Sequence, residues 1–372
     1  MGFRSAFLDW RNRKIASPAF QRWAARFPLT RGVARKKAAE TFDLAAGFVY
    51  SQVLAACVDI DLFRRLEGVC LTVEELSDET GLPPVGMERL LKAAAALKLI
   101  RKREGETYGL GERGAALLGN PSVFAMVRHH RALYADLADP LALLRARRSD
   151  TELARYWAYA DSDRRLRAGA AEVTPYSELM AATQEMIAMT ALDAFDISGH
   201  RMLMDVGGGS GAFLTAAAAR VPELRLRLVD LPPVAELARD RFRTAGLAHR
   251  AEAIGQDMFA SPLPAGADLI SLNRILHDHD DEPVASLLAS VRRAISPGGT
   301  LMVIEPMAGT AGAEPMGDAY FGLYLWAMGS GRPRTADELK AMLRTAGFTR
   351  IREAGTAQPL LTRVLVAEPV DI

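Results

Sequence analysis

The stretch that most constrains this chain is Asp205-Val206-Gly207-Gly208-Gly209-Ser210-Gly211-Ala212-Phe213. An apolar run, Met202 to Met204, leads in, and a helix-forming run, Leu214 to Arg220, leads out. Strand, glycine turn and helix in that order let backbone N–H groups approach a ligand that a Cβ would keep away. The turn points at the carboxyl end of a strand, where open α/β sheets bind ligands. Gly207-x-Gly209-x-x-Ala212 also satisfies the dinucleotide fingerprint. The turn alone therefore implies a nucleotide-type ligand and leaves its identity open.

Two later stretches narrow that identity. Leu224 to Asp230 alternates like a strand and ends on an acid. Asp230 lies about 20 residues past the glycines, where a carboxylate accepts the two hydroxyls of a ribose. A third strand-like stretch ends in Gly255-Gln256-Asp257-Met258-Phe259, where a carboxylate beside an apolar pair can read an adenine amine and flank its ring.

A fourth strand, Ala267 to Leu276, runs into His277-Asp278-His279-Asp280-Asp281. Val284, Leu287, Leu288, Val291 and Ile295 then recur at helical spacing. Pro283 suits the first turn of that helix and Asp280 or Asp281 its cap, which explains the acids without a metal. A fifth strand, Thr300 to Ile304, ends in Glu305-Pro306.

In order and spacing, the glycine turn, Val229-Asp230-Leu231-Pro232, Gly255 to Phe259 and Leu276-His277-Asp278 resemble the S-adenosylmethionine-dependent O-methyltransferases of the plant caffeate and acetylserotonin type. The resemblance covers about residues 40–370. It implies S-adenosylmethionine held by Asp205, Gly207, Gly209, Asp230, Leu231, Asp257, Met258, Phe259 and Arg274. It also implies a general base at His277 with Glu305 beside it. A histidine of near-neutral pKa can take the hydroxyl proton as the C–O bond forms. The sequence departs from the plant pattern at Pro333, where those enzymes carry a second glutamate. Several stretches are similar to a bacterial branch, the hydroxyneurosporene (demethylspheroidene) O-methyltransferases of carotenoid synthesis. These include Phe42-Asp43-Leu44, His277 to Asp281, Glu305-Pro306-Met307-Ala308-Gly309 and Asp318-Ala319-Tyr320-Phe321. That branch implies an apolar hydroxycarotenoid substrate and no metal, with a bacteriochlorophyllide as the rival pigment.

The fold expected is α/β: a doubly wound, seven-stranded Rossmann-like domain over residues 201–372, preceded by a mostly helical winged-helix domain. Residues 41–120 carry helices at Phe42 to Cys57, which reads as buried, from the capping box Thr72-Val73-Glu74-Glu75, and at Met87 to Leu97. Two short strands around a Glu-Gly turn follow. A winged helix invites a DNA-binding regulator, but the acids Glu74, Glu75, Asp78, Glu79, Glu88, Glu104 and Glu106 surround its bases. Dimerisation is the use the resemblance implies, so a homodimer is expected, with no nucleic-acid partner. A dinucleotide dehydrogenase is the other rival, and the Asp257-Met258 and His277 motifs speak against it.

Residues 121–200 read as a helical connector. Tyr176 and Met180 share a helix face there, and the resemblance brings them to the substrate pocket. Tyr320, Phe321, Tyr324, Leu325 and Met328 form an apolar stripe on a helix, and the first three are candidate substrate walls. His129 and His130, with no acid beside them in sequence, read as solvated or structural.

Charge singles out residues 1–40, a basic aromatic extension with ten Lys or Arg against Asp9 and Glu40 in a chain whose net charge is +1. Phe3, Phe7, Trp10, Phe20, Trp23 and Phe27 are interleaved with those bases. Such a mixture suits a helix lying in an anionic interface, and equally a basic extension packed on a partner subunit. Cys57 and Cys70 form no CxxC and read as reduced thiols of an intracellular protein. No apolar run long enough to span a membrane is expected, so the location implied is cytoplasmic with peripheral membrane contact.

Overall fold

A computed structural model describes residues 3–145, 150–156 and 184–370. The chain forms two compact units, Met1–Asn120 and Pro121–Ile372.

The first unit contains α1 (Phe3–Ala16), α2 (Pro18–Arg26), α3 (Arg31–Asp59), α4 (Leu62–Arg65), α5 (Val73–Thr80), α6 (Pro84–Ala96) and α7 (Glu112–Leu118). Between α6 and α7 lies the hairpin β1 (Ile100–Lys102) and β2 (Tyr108–Leu110), paired antiparallel. The capping box starts α5: Thr72 Oγ1 accepts from the Glu75 N–H at 3.2 Å, and the Glu75 carboxylate accepts from the Thr72 N–H at 2.7 Å. Leu62, Phe63, Leu76, Met87, Leu91 and Ile100 are buried together as the core. The winged-helix reading therefore holds. Two of its bases pair with acids of their own unit, Lys92 with Glu88 at 2.7 Å and Lys102 with Glu106 at 2.5 Å. Burial pushes the Cys57 thiol up to about 12, so it stays protonated.

Two expectations for α3 need correction. Only Cys57 and Val58 of this helix are buried, while Phe42, Leu44 and Phe48 are 66–86% exposed. The helix is apolar on a side that its own unit does not cover. In addition, its 29 residues contain an 18-residue window of mean hydropathy 1.4, so α3 is long and apolar enough to cross a membrane. Asp43 and the polar pair Ser51-Gln52 interrupt the apolar run of this helix but leave its average high.

The second unit is built on seven strands: β3 (Met202–Val206), β4 (Arg225–Asp230), β5 (Ala251–Gly255), β6 (Ala267–Asn273), β7 (Ile295–Glu305), β8 (Phe348–Ala354) and β9 (Arg363–Pro369). Their order is β5-β4-β3-β6-β7-β9-β8, and β9 alone runs antiparallel to its neighbours. Helices cover both faces. Residues 184–194 and the helices Ala212–Arg220 and Pro232–Thr244 pack on one, and Asp281–Ala294 and Ala336–Thr345 on the other. In Asp281–Ala294 the expected period buries Val284, Leu287, Leu288 and Val291, each contributing roughly 1.5–3 kcal/mol. The strand order reverses between β3 and β6, so the turns leaving those two strands flank the switch point where open sheets bind ligands. Ahead of the sheet, α8 (Pro121–Asp136) and the helix Glu152–Tyr156 contact the helix Gly322–Met328. Tyr176 and Met180 lie outside the described residues.

Candidate active site

The turn after β3 is made of backbone. The Gly207 N–H donates to Val229 O at 2.7 Å, tying it to β4. Gly209 has a positive φ of 58°, and a Cβ there would meet nothing within 4 Å. Its N–H donates to Asp230 Oδ2 at 2.8 Å, while Asp230 Oδ1 accepts from the Leu231 N–H at 2.7 Å. Asp230 thus sits against the glycine turn at the end of β4. Burial pushes its carboxyl up to about 6, against the pull of those two N–H groups. The next turn joins in, because the Gln256 N–H donates to Asp230 O at 2.8 Å. Asp257 Oδ1 accepts from the Phe259 N–H at 2.8 Å, and Met258 and Phe259 pack at the edge of the core.

Beneath the turn, Asp205 Oδ1 accepts from Ser271 Oγ at 2.6 Å. Its other oxygen is buried without a partner among the described residues. Burial pushes Asp205 up to about 7; the Ser271 bond opposes this and the charge of Asp230 adds to it. Two positions further along β6, the Asn273 amide is buried with neither its oxygen nor its nitrogen paired among the described residues. These atoms offer two acceptors and one donor at the carboxyl end of the sheet. A ligand with both ammonium and carboxylate groups would satisfy them.

The turn after β6 is made of side chains. Arg274 takes a left-handed φ of 58° and donates its N–H to Ile304 O at 2.8 Å. Leu276–Asp278 form one 3₁₀ turn. Glu305, at the end of β7 and only 2% exposed, holds that turn from below. Its Oε1 accepts the N–H groups of Ile275 and Leu276 at 2.9 and 2.7 Å, and its Oε2 is in hydrogen-bond contact with His277 Nδ1. Asp278 Oδ1 stands 3.2 Å from His277 Nε2. Burial works against protonation of the ring, but Asp278 and then Glu305 outweigh it, so His277 lies above its ordinary value near 6.5. The second carboxylate on the ring is therefore Asp278, from the neighbouring position, rather than a residue at position 333.

The segment around Pro333 clamps this turn. Buried Arg334 donates to Leu276 O, to His279 O at 2.9 Å and to Asp281 Oδ1 at 2.6 Å. The Arg332 N–H donates to His277 O at 3.0 Å. Gly331 has φ +83°, and a Cβ there would lie 2.1 Å from His277 O. The acids after His277 differ from expectation. Asp280 stands at the N-cap of Asp281–Ala294 but makes no side-chain cap; its carboxylate accepts the Gly331 N–H at 3.1 Å instead. Asp281 pairs with Arg332 and Arg334, which hold its carboxyl below the usual range. His279 packs edge-on to Phe259, with centroids 4.8 Å apart. No group of three His, Cys, Asp or Glu converges at metal-binding distance among the described residues.

An aromatic wall continues from His277. Phe321 lies edge-on to the imidazole at 6.0 Å, Tyr320 edge-on to Phe321 at 5.1 Å, and Tyr324 stacked on Tyr320 at 5.7 Å. The carrier Pro315–Phe321 is wound as a π-helix that continues into Gly322–Met328. The tyrosine hydroxyls turn to α8. Tyr324 shares a 2.8 Å hydrogen bond with His129 Nε2, and Tyr320 a 2.7 Å bond with His130 Nε2. His129 and His130 are therefore not solvated. Burial, and for His129 also the charge of His130, lowers their pKa, that of His129 to about 4.

Residues 136–349 match the family described as the O-methyltransferase domain, and residues 42–120 the O-methyltransferase dimerisation domain. The chain belongs to the O-methyltransferase family. It is 43% identical to the demethylspheroidene O-methyltransferase of Cereibacter sphaeroides over 95% of this chain and 93% of that one. It is 33% identical to the acetylserotonin O-methyltransferase of Mus musculus over 83% of each. Among solved structures, human N-acetylserotonin methyltransferase in complex with SAM superposes with a TM-score of 0.75 at 24% identity, covering 90% of this chain and 98% of that one. The uncovered apolar side of α3 falls in the dimerisation domain of this O-methyltransferase, the place where a second subunit would cover it.

Proposed function

We propose that this O-methyltransferase uses S-adenosylmethionine to methylate the tertiary 1-hydroxyl of an acyclic carotenoid, with His277 as general base and without a metal. The observation that carries the reading is the polarity of the site. One histidine, clamped between two buried carboxylates, is followed by an aromatic wall whose two tyrosine hydroxyls are taken up by neutral histidines. Such a wall presents ring carbon to a substrate. It suits a long apolar molecule bearing one hydroxyl. The name of the Cereibacter sphaeroides relative points the same way.

In this reading Asp230 accepts the ribose hydroxyls. Asp257, Met258 and Phe259 frame the adenine, and Asp205, Arg274 and the Gly207–Gly209 backbone hold the methionine end. The open face at Gly209 and the unpaired oxygen of Asp205 fit a ligand carrying those groups. Bound there, S-adenosylmethionine supplies a methyl group on a sulfonium and leaves as the neutral thioether. The chain's own task is to align the substrate oxygen and to take its proton. Glu305 accepts from Nδ1–H, which fixes the tautomer and leaves the Nε2 lone pair for the substrate proton. Asp278 then stabilises the new N–H. An aliphatic hydroxyl ionises poorly, so proton removal should accompany C–O bond formation, a contribution of roughly 10²–10⁴-fold.

The test is turnover with labelled S-adenosylmethionine on a 1-hydroxycarotenoid, caffeate and a bacteriochlorophyllide side by side, with and without chelator. The expected result is methylation of the hydroxycarotenoid alone, unaffected by chelator. Robust catechol methylation without carotenoid turnover contradicts the substrate. Activity lost to chelator and restored by a divalent ion contradicts metal independence.

A further inference from the structure

Residues 4–40 of the first unit bury only Ala24. Phe7, Trp10, Ile15 and Trp23 on α1 and α2 are each 50–52% exposed. Exposed apolar groups of that size, gathered in one place, mark a contact surface. Their neighbours are cations. A cleft of about 380 Å³ is lined by Trp10, Ile15, Phe20 and Trp23 together with Arg11 and Lys14. A second, of about 520 Å³, places Arg22 and Arg26 beside Trp23 and Phe27. Among the described residues, none of these four cations has a carboxylate partner.

We propose that α1 and α2 form a docking surface for anionic phospholipid bilayers. Each cleft pairs two cations, which can meet a lipid phosphate, with aromatic and aliphatic carbon that can enter the acyl boundary. Two other partners fit less well. Residues 1–40 carry ten bases against two acids, so a second copy of the same surface would face like charge. For single-stranded nucleic acid, ring faces must be open to bases. Here Phe7 stacks with Trp10 at 5.9 Å and Trp23 with Phe27 at 5.1 Å, so the rings occupy one another's faces. The surface is remote in sequence from His277 and would place the enzyme at a bilayer without entering its chemistry.

The test is flotation of the full-length protein with vesicles of phosphatidylcholine alone or mixed with phosphatidylglycerol, with no substrate present, so that it reads the surface independently of the proposed function. The protein should float with the anionic vesicles only, and salt that shortens the Debye length to about 3 Å should release it. Replacing Arg11, Lys14, Arg22 and Arg26 together with Gln should weaken binding at least about tenfold, because each base near such a surface contributes roughly a fivefold factor. Trp10→Ala with Trp23→Ala should weaken it with little change in salt dependence. Both variants should keep wild-type mass by light scattering and wild-type turnover on detergent-dispersed substrate. Equal flotation of wild type and variants, or equal binding to neutral vesicles, overturns the proposal. Loss of dimer mass in the variants would instead assign the surface to subunit contact and also overturn it, as would tighter binding of single-stranded RNA than of anionic vesicles.

Discussion

The turns leaving β3 and β6 flank the same switch point, yet they are built from different materials. The β3 turn is glycine backbone, open above Gly209 and tied down by two neighbours on β4, Val229 and Asp230. The β6 turn is a packed knot in which Glu305 holds Leu276 N–H, Arg334 holds Leu276 O and His279 O, Arg332 holds His277 O and Ser330 holds Asp278 O, all from distant parts of the chain. On the proposed function the difference separates two tasks. A cofactor that brings its own reactive group needs shape and a few acceptors. A base needs one tautomer in one orientation, and rigid packing supplies that.

Substitutions should therefore separate binding from turnover. His277→Ala should lower kcat about 10²–10⁴-fold and leave S-adenosylhomocysteine affinity within a factor of two or so, since the proton moves only in the transition state. Turnover within about threefold of wild type would remove His277 as the base. Asp230→Ala should do the opposite. Loss of an acceptor for two hydroxyls costs roughly 1–3 kcal/mol, about 5–150-fold in affinity by calorimetry, in a protein that still folds. Because free Asp230 titrates near 6, wild-type affinity should also fall as pH drops below about 6, where the acceptor becomes protonated. Affinity flat from pH 7 to about 5 would mean that the carboxylate does not meet the ligand. Arg334→Met tests the knot without touching His277. It strips partners from Leu276 O and His279 O, so melting temperature should fall by several degrees and kcat by about tenfold, with cofactor affinity preserved. Equal losses in kcat and affinity would show that the two turns are one cooperative structure.

The same contrast explains what could be read from the sequence. Glycine turns and their acids act locally, so the β3 turn, Asp230 and the capping box at Thr72 were all legible in short stretches. His277 and Glu305 were paired only through the resemblance, because no local pattern links residues 28 apart. Arg334 gave no signal, since its three partners come from the β6 turn. Ser271 and Asn273 did leave one: they are polar residues on alternate positions of a strand that is otherwise apolar after Asp268. His129 and His130 read as solvated or structural, and sequence alone could not choose the second, because their partners lie 195 and 190 positions away. The exposure of α3 could not be read at all, for apolar periodicity says which side is buried in the end, not by which chain.

The most direct test of the account is the pH dependence of kcat in wild type and Glu305→Gln. A base must be neutral to act, so the wild-type rate should rise with pH through a value above the ordinary 6.5 of an imidazole. Removing the Glu305 charge lowers the pKa of the ring, and a Gln amide can donate to Nδ1 and hold the wrong tautomer. The rising limb should therefore move to lower pH while the plateau falls. A limb that stays in place when Glu305 is neutralised, or a rate with no rising limb, would contradict a proton acceptor set by this pair.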